Sequence, residues 1–326
     1  MTNSKGPLVS VVFTSYNHIE YLEQALNSIL GQTYGNFELI VVDDCSTDGS
    51  REVLKKFAAD FSLIKLHLLS KNTGSYVTAS NYGAKFALGE YVLFAQCDDF
   101  SEPAQIEKLM SVFEKHPEAG VVYSRSNLVD ENGKVYLNDY VIRQNSFRKK
   151  CVKDTRIAGV EMRQFLSFSC VIPNLSAALI RKDLYLQAGG LSEKYLMAAD
   201  WAFWLELSER TDFYYLTETL NNFRQHQTTI RHTTKIVKQI EEIYAVFYLH
   251  LSKYRISFAD KFRIKVNVGG IWFAYFKDDL KGSLMSFPGS FGATWKFEKL
   301  NLFFFTLGAF VQARELIYRL QSKLLG

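Results

Sequence analysis

Hydrophobic positions along the chain switch repeatedly between two patterns. Residues 8–13, LVSVVF, form an apolar run of strand length and composition. After TSYN comes HIEYLEQALNSILG, in which Ile19, Leu22, Leu26, Ile29 and Leu30 recur at helical spacing, with Asn17 placed to cap the start and Gly31 to end it. The unit repeats. FELIVV (37–42) precedes a helical stretch at 49–59, LIKLHLL (63–69) precedes one at 76–88 closed by Gly89, and YVLFA (91–95) follows. Strands alternating with helices imply right-handed crossovers and a mostly parallel sheet covered on both faces, a doubly wound α/β domain.

Beyond residue 126 the texture changes. NLVDENGKVYL (127–137) carries an Asn-Gly pair between short apolar runs, a hairpin signal. RQNSFRKKCVKDTR (143–156) reads as a basic loop, SAALIR (176–181) as a strand, DWAFWLEL (200–207) as part of a helix and DFYYL (212–216) as a strand. From Lys235 onward the pattern is helical, at 236–251, 258–276 and 302–323, with 19 aromatics among the last 94 residues. The expected organisation is therefore 1–126, a nucleotide-binding half; 127–232, a mixed α+β half of the same domain; and 233–326, a helical extension.

Charge sharpens that division. The chain of 326 residues has a net charge of +4, but residues 233–326 hold 14 Lys/Arg against 7 Asp/Glu. Two readings of this basic, aromatic segment stand: helices packed on the domain, or attachment to an anionic membrane surface. Its longest apolar stretches, such as LNLFFFTLGAFV, fall short of a spanning helix. Four scattered cysteines without a C-x-x-C pair argue against zinc and disulfides, and MTNSKGPLVSVVF lacks the apolar core of a signal peptide. The expected location is cytoplasmic, or peripheral at the cytoplasmic face of a membrane.

In open parallel sheets ligands bind at the carboxyl ends of the strands. Here those ends are polar: TSYN (14–17), DDCSTD (43–48), SKNTG (70–74) and QCDD (96–99). Neither G-x-G-x-x-G nor G-x-x-x-x-G-K-[ST] occurs, so dinucleotide and P-loop chemistry lose their main support. The adjacent carboxylates Asp98 and Asp99 could hold a hard divalent cation, Mn²⁺ or Mg²⁺, that bridges to a diphosphate. On spacing alone they could equally be a capped turn before the next helix.

The segment VSVVFTSYNHIEYLEQALNSILGQTYGNFELIVVDDCSTDGS followed by GEYVLFAQCDD resembles glycosyltransferase family 2, the inverting nucleotide-sugar transferases with the GT-A fold. The resemblance covers residues 7–232 and leaves out the last 94. It implies that Thr14, Tyr16, Asp43 and Asp44 contact the nucleoside, a ring for stacking and a carboxylate for the N3–H of uracil. It implies Asp99 as direct metal ligand, Asp98 as ribose or metal contact, His226 as a further metal contact and Arg224 as a diphosphate contact. Asp200 is implied as the general base that deprotonates the acceptor hydroxyl. Two positions depart from the family pattern, Gln96 and Ala199, each where an acid is usual. The implied partners are a nucleoside diphosphate sugar, with uridine first, and a glycan or lipid-linked glycan, with no nucleic acid. The other class left open is a catalytically inactive GT-A-like nucleotide-binding or assembly module; a nucleotidyltransferase is weakened by the lack of glycine in TSYNHIE.

Overall fold

The computed structural model describes residues 6–229, 234–253, 256–278 and 280–324. Residues 1–5 and residues 230–233, which follow His226 closely, lie outside the described residues. The chain separates into two compact units, Met1–His226 and Gln227–Gly326.

The first unit begins with three βα repeats: β1 (Val9–Ser15), α1 (Ile19–Leu30), β2 (Phe37–Asp43), α2 (Ser50–Asp60), β3 (Ile64–Leu68) and α3 (Tyr76–Ala84), leading into β4 (Tyr91–Gln96). Every residue of β1 is buried, which is why it reads as an apolar run: helices cover both of its faces. α1 buries Tyr21, Leu22, Ala25, Leu26 and Ile29, one stripe at helical spacing. After β5 (Phe100–Ser101) and α4 (Gln105–Lys115) come β6 (Ala119–Val129), β7 (Val135–Asn138), α5 (Asp139–Ile142), α6 (Asn145–Lys150), β8 (Thr155–Ile157) and α7 (Gly159–Leu166). The unit closes with β9 (Ala178–Arg181), α8 (Lys182–Gln187), α9 (Ala199–Leu207) and β10 (Asp212–Arg224).

The sheet order is β3-β2-β1-β4-β9-β6-β10-β5, with β7 added to β6 and β8 to β10. Strands β3, β2, β1 and β4 are mutually parallel. β9 is antiparallel to both neighbours, β4 and β6, so the second half continues the same sheet through one reversed strand.

Local differences from the pattern have identifiable causes. α3 stops at Ala84 because the following turn is drawn into a buried polar network: Leu88 N–H donates to Glu38 Oε1 at 2.6 Å and Gly89 N–H to Ser10 Oγ at 2.8 Å. A Cβ at Gly89 would stand 2.5 Å from the Leu8 carbonyl oxygen, so no other residue fits that approach. The basic stretch expected as a loop contains the short helix α6, which exposes Lys149 and Lys150, keeps Arg148 half-buried and anchors itself by one buried ring, Phe147. β10 runs eight residues past the expected Leu216, because Asn221 and Asn222 are buried and spend their amides on Ser126 and Glu102 rather than on water.

The second unit is helical: α10 (Ile236–Lys253), α11 (Phe258–Asp278), α12 (Leu280–Trp295) and α13 (Asn301–Leu324). α12 was not expected, since Pro288 sits inside it. α11 and α13 meet backbone to backbone: a Cβ on Gly308 would fall 2.2 Å from Gly270 N, and one on Gly269 2.1 Å from Phe304 O. Trp272, Tyr244, Phe247 and Phe304 fill the interior of the bundle. No helix among the described residues is long and apolar enough to cross a membrane.

Candidate functional site

The tips of β1 and β2 are tied into one ledge. Asp43 is fully buried; it accepts the Ser46 N–H at 3.0 Å and Ser46 Oγ at 2.5 Å, and forms an ion pair with Arg51 Nε at 3.1 Å. Ser46 Oγ in turn accepts the Asn17 N–H at 3.0 Å, while Asn17 Oδ1 accepts the Thr47 N–H at 2.8 Å. Asn17, expected as the cap of α1, instead bridges the two loops in a left-handed conformation at φ +50°, and His18 takes the cap position. Cys45 is also left-handed, at φ +66°. Non-glycine residues persist there only where their surroundings over-determine them, and such strain gathers at functional sites.

Thr14 is buried at this ledge and Tyr16 stands out from it, 45% exposed. Asp44 accepts the Thr73 N–H at 2.7 Å on one oxygen and Thr73 Oγ1 at 2.8 Å on the other. Burial raises its pKa against those two donors, with the charge of Asp43 acting in the same direction as burial. Thr73, which stands at the β3 tip, had no signal in the sequence beyond its place in SKNTG.

The two acids after β4 face different surroundings. Asp99 is turned inward, where its Oδ2 accepts from Asn174 Nδ2 at 2.6 Å and from Ser176 Oγ, and its Oδ1 accepts the Arg224 N–H at 3.1 Å. Burial, followed by the neighbouring charge of Asp98, pushes the Asp99 carboxyl up to about 8. Asp98 instead lies beside imidazoles: its Oδ2 is 3.1 Å from His226 Nε2. Burial opposes its ionisation, but the hydrogen bond from His226, with the His18 and His226 imidazoles beside it, holds it below the ordinary carboxylate range. The rings of His18 and His226 meet edge to face at 4.9 Å, with Tyr21 5.0 Å from His226.

Arg224, expected from sequence at the diphosphate, is 1% exposed and committed to the interior. Its Nε donates to the Asp98 carbonyl at 2.9 Å, its Nη1 to the carbonyls of Asp130 and Glu131 at 3.2 and 2.8 Å, and its Nη2 to Gln24 Oε1 at 2.5 Å. The guanidinium also lies 4.4 Å from the centre of the Tyr21 ring. It thus fixes the backbone on which both acids stand. Asp200 is in the first turn of α9, half-buried, with its Oδ1 accepting the Trp201 N–H at 2.7 Å.

The residues around Asp98 suit a divalent cation. Ligand atoms of His18, Cys97 and Asp98 lie within 4.8 Å of one another. Asp98 is held ionised, and burial lowers the His18 pKa, so its imidazole keeps a lone pair. Burial and the charge of Asp98 push the Cys97 thiol well up, and its sulfur lies 3.6 Å from His18 Nδ1. A carboxylate with neutral imidazole is a donor set for a metal such as Mn²⁺, and the protonated thiol adds no soft ligand to it. His18 and Cys97 were not singled out in the sequence; a histidine directly after TSYN at a strand tip is the signal that could have found the first.

A sheet of this order, with a carboxylate and imidazole cluster where β1 and β4 end, is the GT-A fold. The model for "Glycosyl transferase family 2" matches residues 10–185, and the chain belongs to that family. The solved structure of TarS from S. aureus in complex with UDP-GlcNAc superposes with a TM-score of 0.67 at 20% identity, covering 89% of this chain and 80% of that one. The mannosyltransferase PcManGT of Pyrobaculum calidifontis, solved with GDP-Man and Mn²⁺, gives 0.55 at 15% identity over 95% and 86%. TuaG of Bacillus subtilis (strain 168), named as a teichuronic acid biosynthesis glycosyltransferase, is 42% identical over 108 residues, 33% of this chain and 42% of TuaG. The chain spans less than half the length of the Bacillus subtilis relatives it matches.

Proposed function

We propose that the protein is a metal-dependent inverting glycosyltransferase that moves a hexosyl group from a nucleoside diphosphate donor, with uridine as the first base, to a hydroxyl of a glycan or lipid-linked glycan in cell-surface polysaccharide synthesis. The observation that carries this reading is the Asp98, His226 and His18 cluster at the strand tips of a family 2 domain. The UDP-GlcNAc bound by TarS, the GDP-Man and Mn²⁺ bound by PcManGT and the polymer in the name of TuaG support it.

Each residue has a task set by its surroundings. Tyr16, exposed on this ledge, offers its ring to the base, and Thr14 is buried at the same strand tip. Asp44 keeps a further lone pair on each oxygen after Thr73 is served, and accepts the N3–H of uracil; Asp43 holds the ledge in shape. Asp98 with His226, and His18 beside them, would hold the cation, which when bound neutralises the departing diphosphate. Asp99 and Arg224 fix the turn that presents Asp98. Asp200 takes the proton of the acceptor hydroxyl as that oxygen bonds to the anomeric carbon and the bond to the diphosphate oxygen breaks, which inverts the centre.

Calorimetric titration of UDP, with Mn²⁺ and then with the metal chelated, tests this on the native chain and on Asp98→Ala. The reading requires binding that depends on both the metal and Asp98. Binding indifferent to both would remove the metal assignment. Metal-dependent binding without turnover of any sugar donor would favour the inactive module instead, the reading that Gln96 and Ala199 motivate.

A further inference from the structure

The turn between α12 and α13 inverts the usual distribution of side chains. Over residues 295–303, WKFEKLNLF, the acid is inside and the apolar groups are outside. Glu298 is buried, accepting Tyr248 OH at 2.6 Å and the Leu300 N–H at 3.0 Å and paired with Lys265 Nζ at 2.5 Å. Trp295, Leu300, Leu302 and Phe303 are exposed, the last three by more than half. Exposed apolar residues standing singly need no explanation, but a contiguous group does.

A neighbouring helix extends the same surface. α11 and α13 run side by side in the same direction: Phe262 meets Phe304 at 5.7 Å, and two turns on Gly270 meets Gln312. Phe258, one turn before Phe262, therefore stands at the end of the bundle where Leu300 lies, and it is 86% exposed. Cations ring this end. Lys299 Nζ lies 5.1 Å from the centre of the Trp295 ring; Lys296, about half exposed, pairs with Glu241 at 2.5 Å, and Arg263, more exposed, lies 3.5 Å from Asp260.

We propose that this tip is a membrane-docking surface for anionic lipid. Tryptophan, phenylalanine and leucine enter the boundary between headgroups and acyl chains, while the lysines and arginine around them meet phosphate. The charge of the segment selects this occupant over a second copy of the chain, because 14 cations against 7 acids in residues 233–326 would set two such surfaces against each other. Docking is a surface property of the helical unit and stands or falls independently of the donor chemistry.

Flotation of the full chain with vesicles of phosphatidylglycerol and phosphatidylcholine, against vesicles of phosphatidylcholine alone, tests it. The expected result is co-flotation with the anionic vesicles that weakens as salt is raised. Phe258→Asp with Phe303→Asp should lower the bound fraction roughly tenfold or more, and Lys296→Glu with Lys299→Glu should abolish the preference for phosphatidylglycerol. Both variants are checked for an unchanged thermal transition and unchanged UDP titration, which separates lost docking from lost folding and from the catalytic reading. Failure of the native chain to float, equal binding to both vesicles, or a dimer in solution that Phe303→Asp breaks would each overturn the proposal.

Discussion

The β1, β2 and β4 tips and the tip of the helical bundle both break the rule that apolar side chains go inside and polar ones outside, and they break it in opposite senses. The first buries Asp43, Asp44, Asp99, Arg224 and His226 and supplies each with partners; the second leaves Phe258, Leu300 and Phe303 in water while Glu298 goes inside. Buried polar groups are tolerated only when satisfied, and satisfaction makes them rigid. The first region is therefore a preorganised chemical site. Exposed apolar groups gain nothing from rigidity and have yet to be covered, so the second is a surface awaiting a partner.

The comparison breaks most sharply at Asp200. If it is the base, Asp200→Asn lowers turnover by roughly 10²–10⁴-fold while UDP binding, measured calorimetrically, stays as it was. A turnover loss below tenfold would return Asp200 to capping α9. Asp98→Ala comes next: loss of an electrostatic stabiliser of this kind costs roughly 10²–10³-fold in turnover, and here it should also remove the metal dependence of UDP binding. Asp99→Asn, isosteric and still able to pair with its buried neighbours, should retain that metal dependence.

Stability should separate the two regions too. Arg224→Met takes from the carbonyls of Asp98 and Glu131 the donors they have in Arg224, while the Asp130 carbonyl keeps the Gly133 N–H. At roughly 1–3 kcal/mol for each buried group left unpaired, the loss reaches about 2 kcal/mol or more in urea unfolding of the first unit. Gly308→Val tests the bundle instead. Its new carbon atoms would meet Gly270 N and Val266 O, and overpacking of this sort costs about 1–3 kcal/mol. A native melting curve for that variant would mean the two helices can separate freely.

Much of this contrast was legible in sequence, and the remainder was hidden for physical reasons. The βα repeats announced themselves because buried parallel strands are apolar throughout and α1 carries a clean stripe. Neighbouring residues at a strand tip point to different sides, so QCDD alone could not say that Asp98 meets the histidines while Asp99 turns toward Asn174 and Ser176. Arg224 was similarly opaque: an arginine reads as surface or ligand-binding until its acceptors, scattered from Gln24 to Glu131, are brought together by the fold. α12 was missed because a mid-helix proline argues against a helix, and the exposure of Phe258 and Phe303 cannot be read from a pattern that makes aromatic residues look like core.

Glu298 gives the smallest effect and the finest test of the second region. Burial opposes its ionisation, but Lys265, Tyr248 and the Leu300 N–H together hold its pKa below the ordinary 4.5. A carboxyl depressed on folding binds fewer protons in the native than in the unfolded chain. Its stabilising contribution is thus present above pH 4.5 and lost as pH falls through the lower native value. Glu298→Gln removes that dependence. The native chain should be the more stable at neutral pH by about 1 kcal/mol, and the gap should close as the pH falls below the ordinary carboxylate value. Thermal melting of both proteins as the pH is lowered measures it. Parallel pH profiles would mean that Glu298 is as well solvated folded as unfolded, and the tip would then be an ordinary charged turn rather than one whose only acid is withdrawn from the surface offered to lipid.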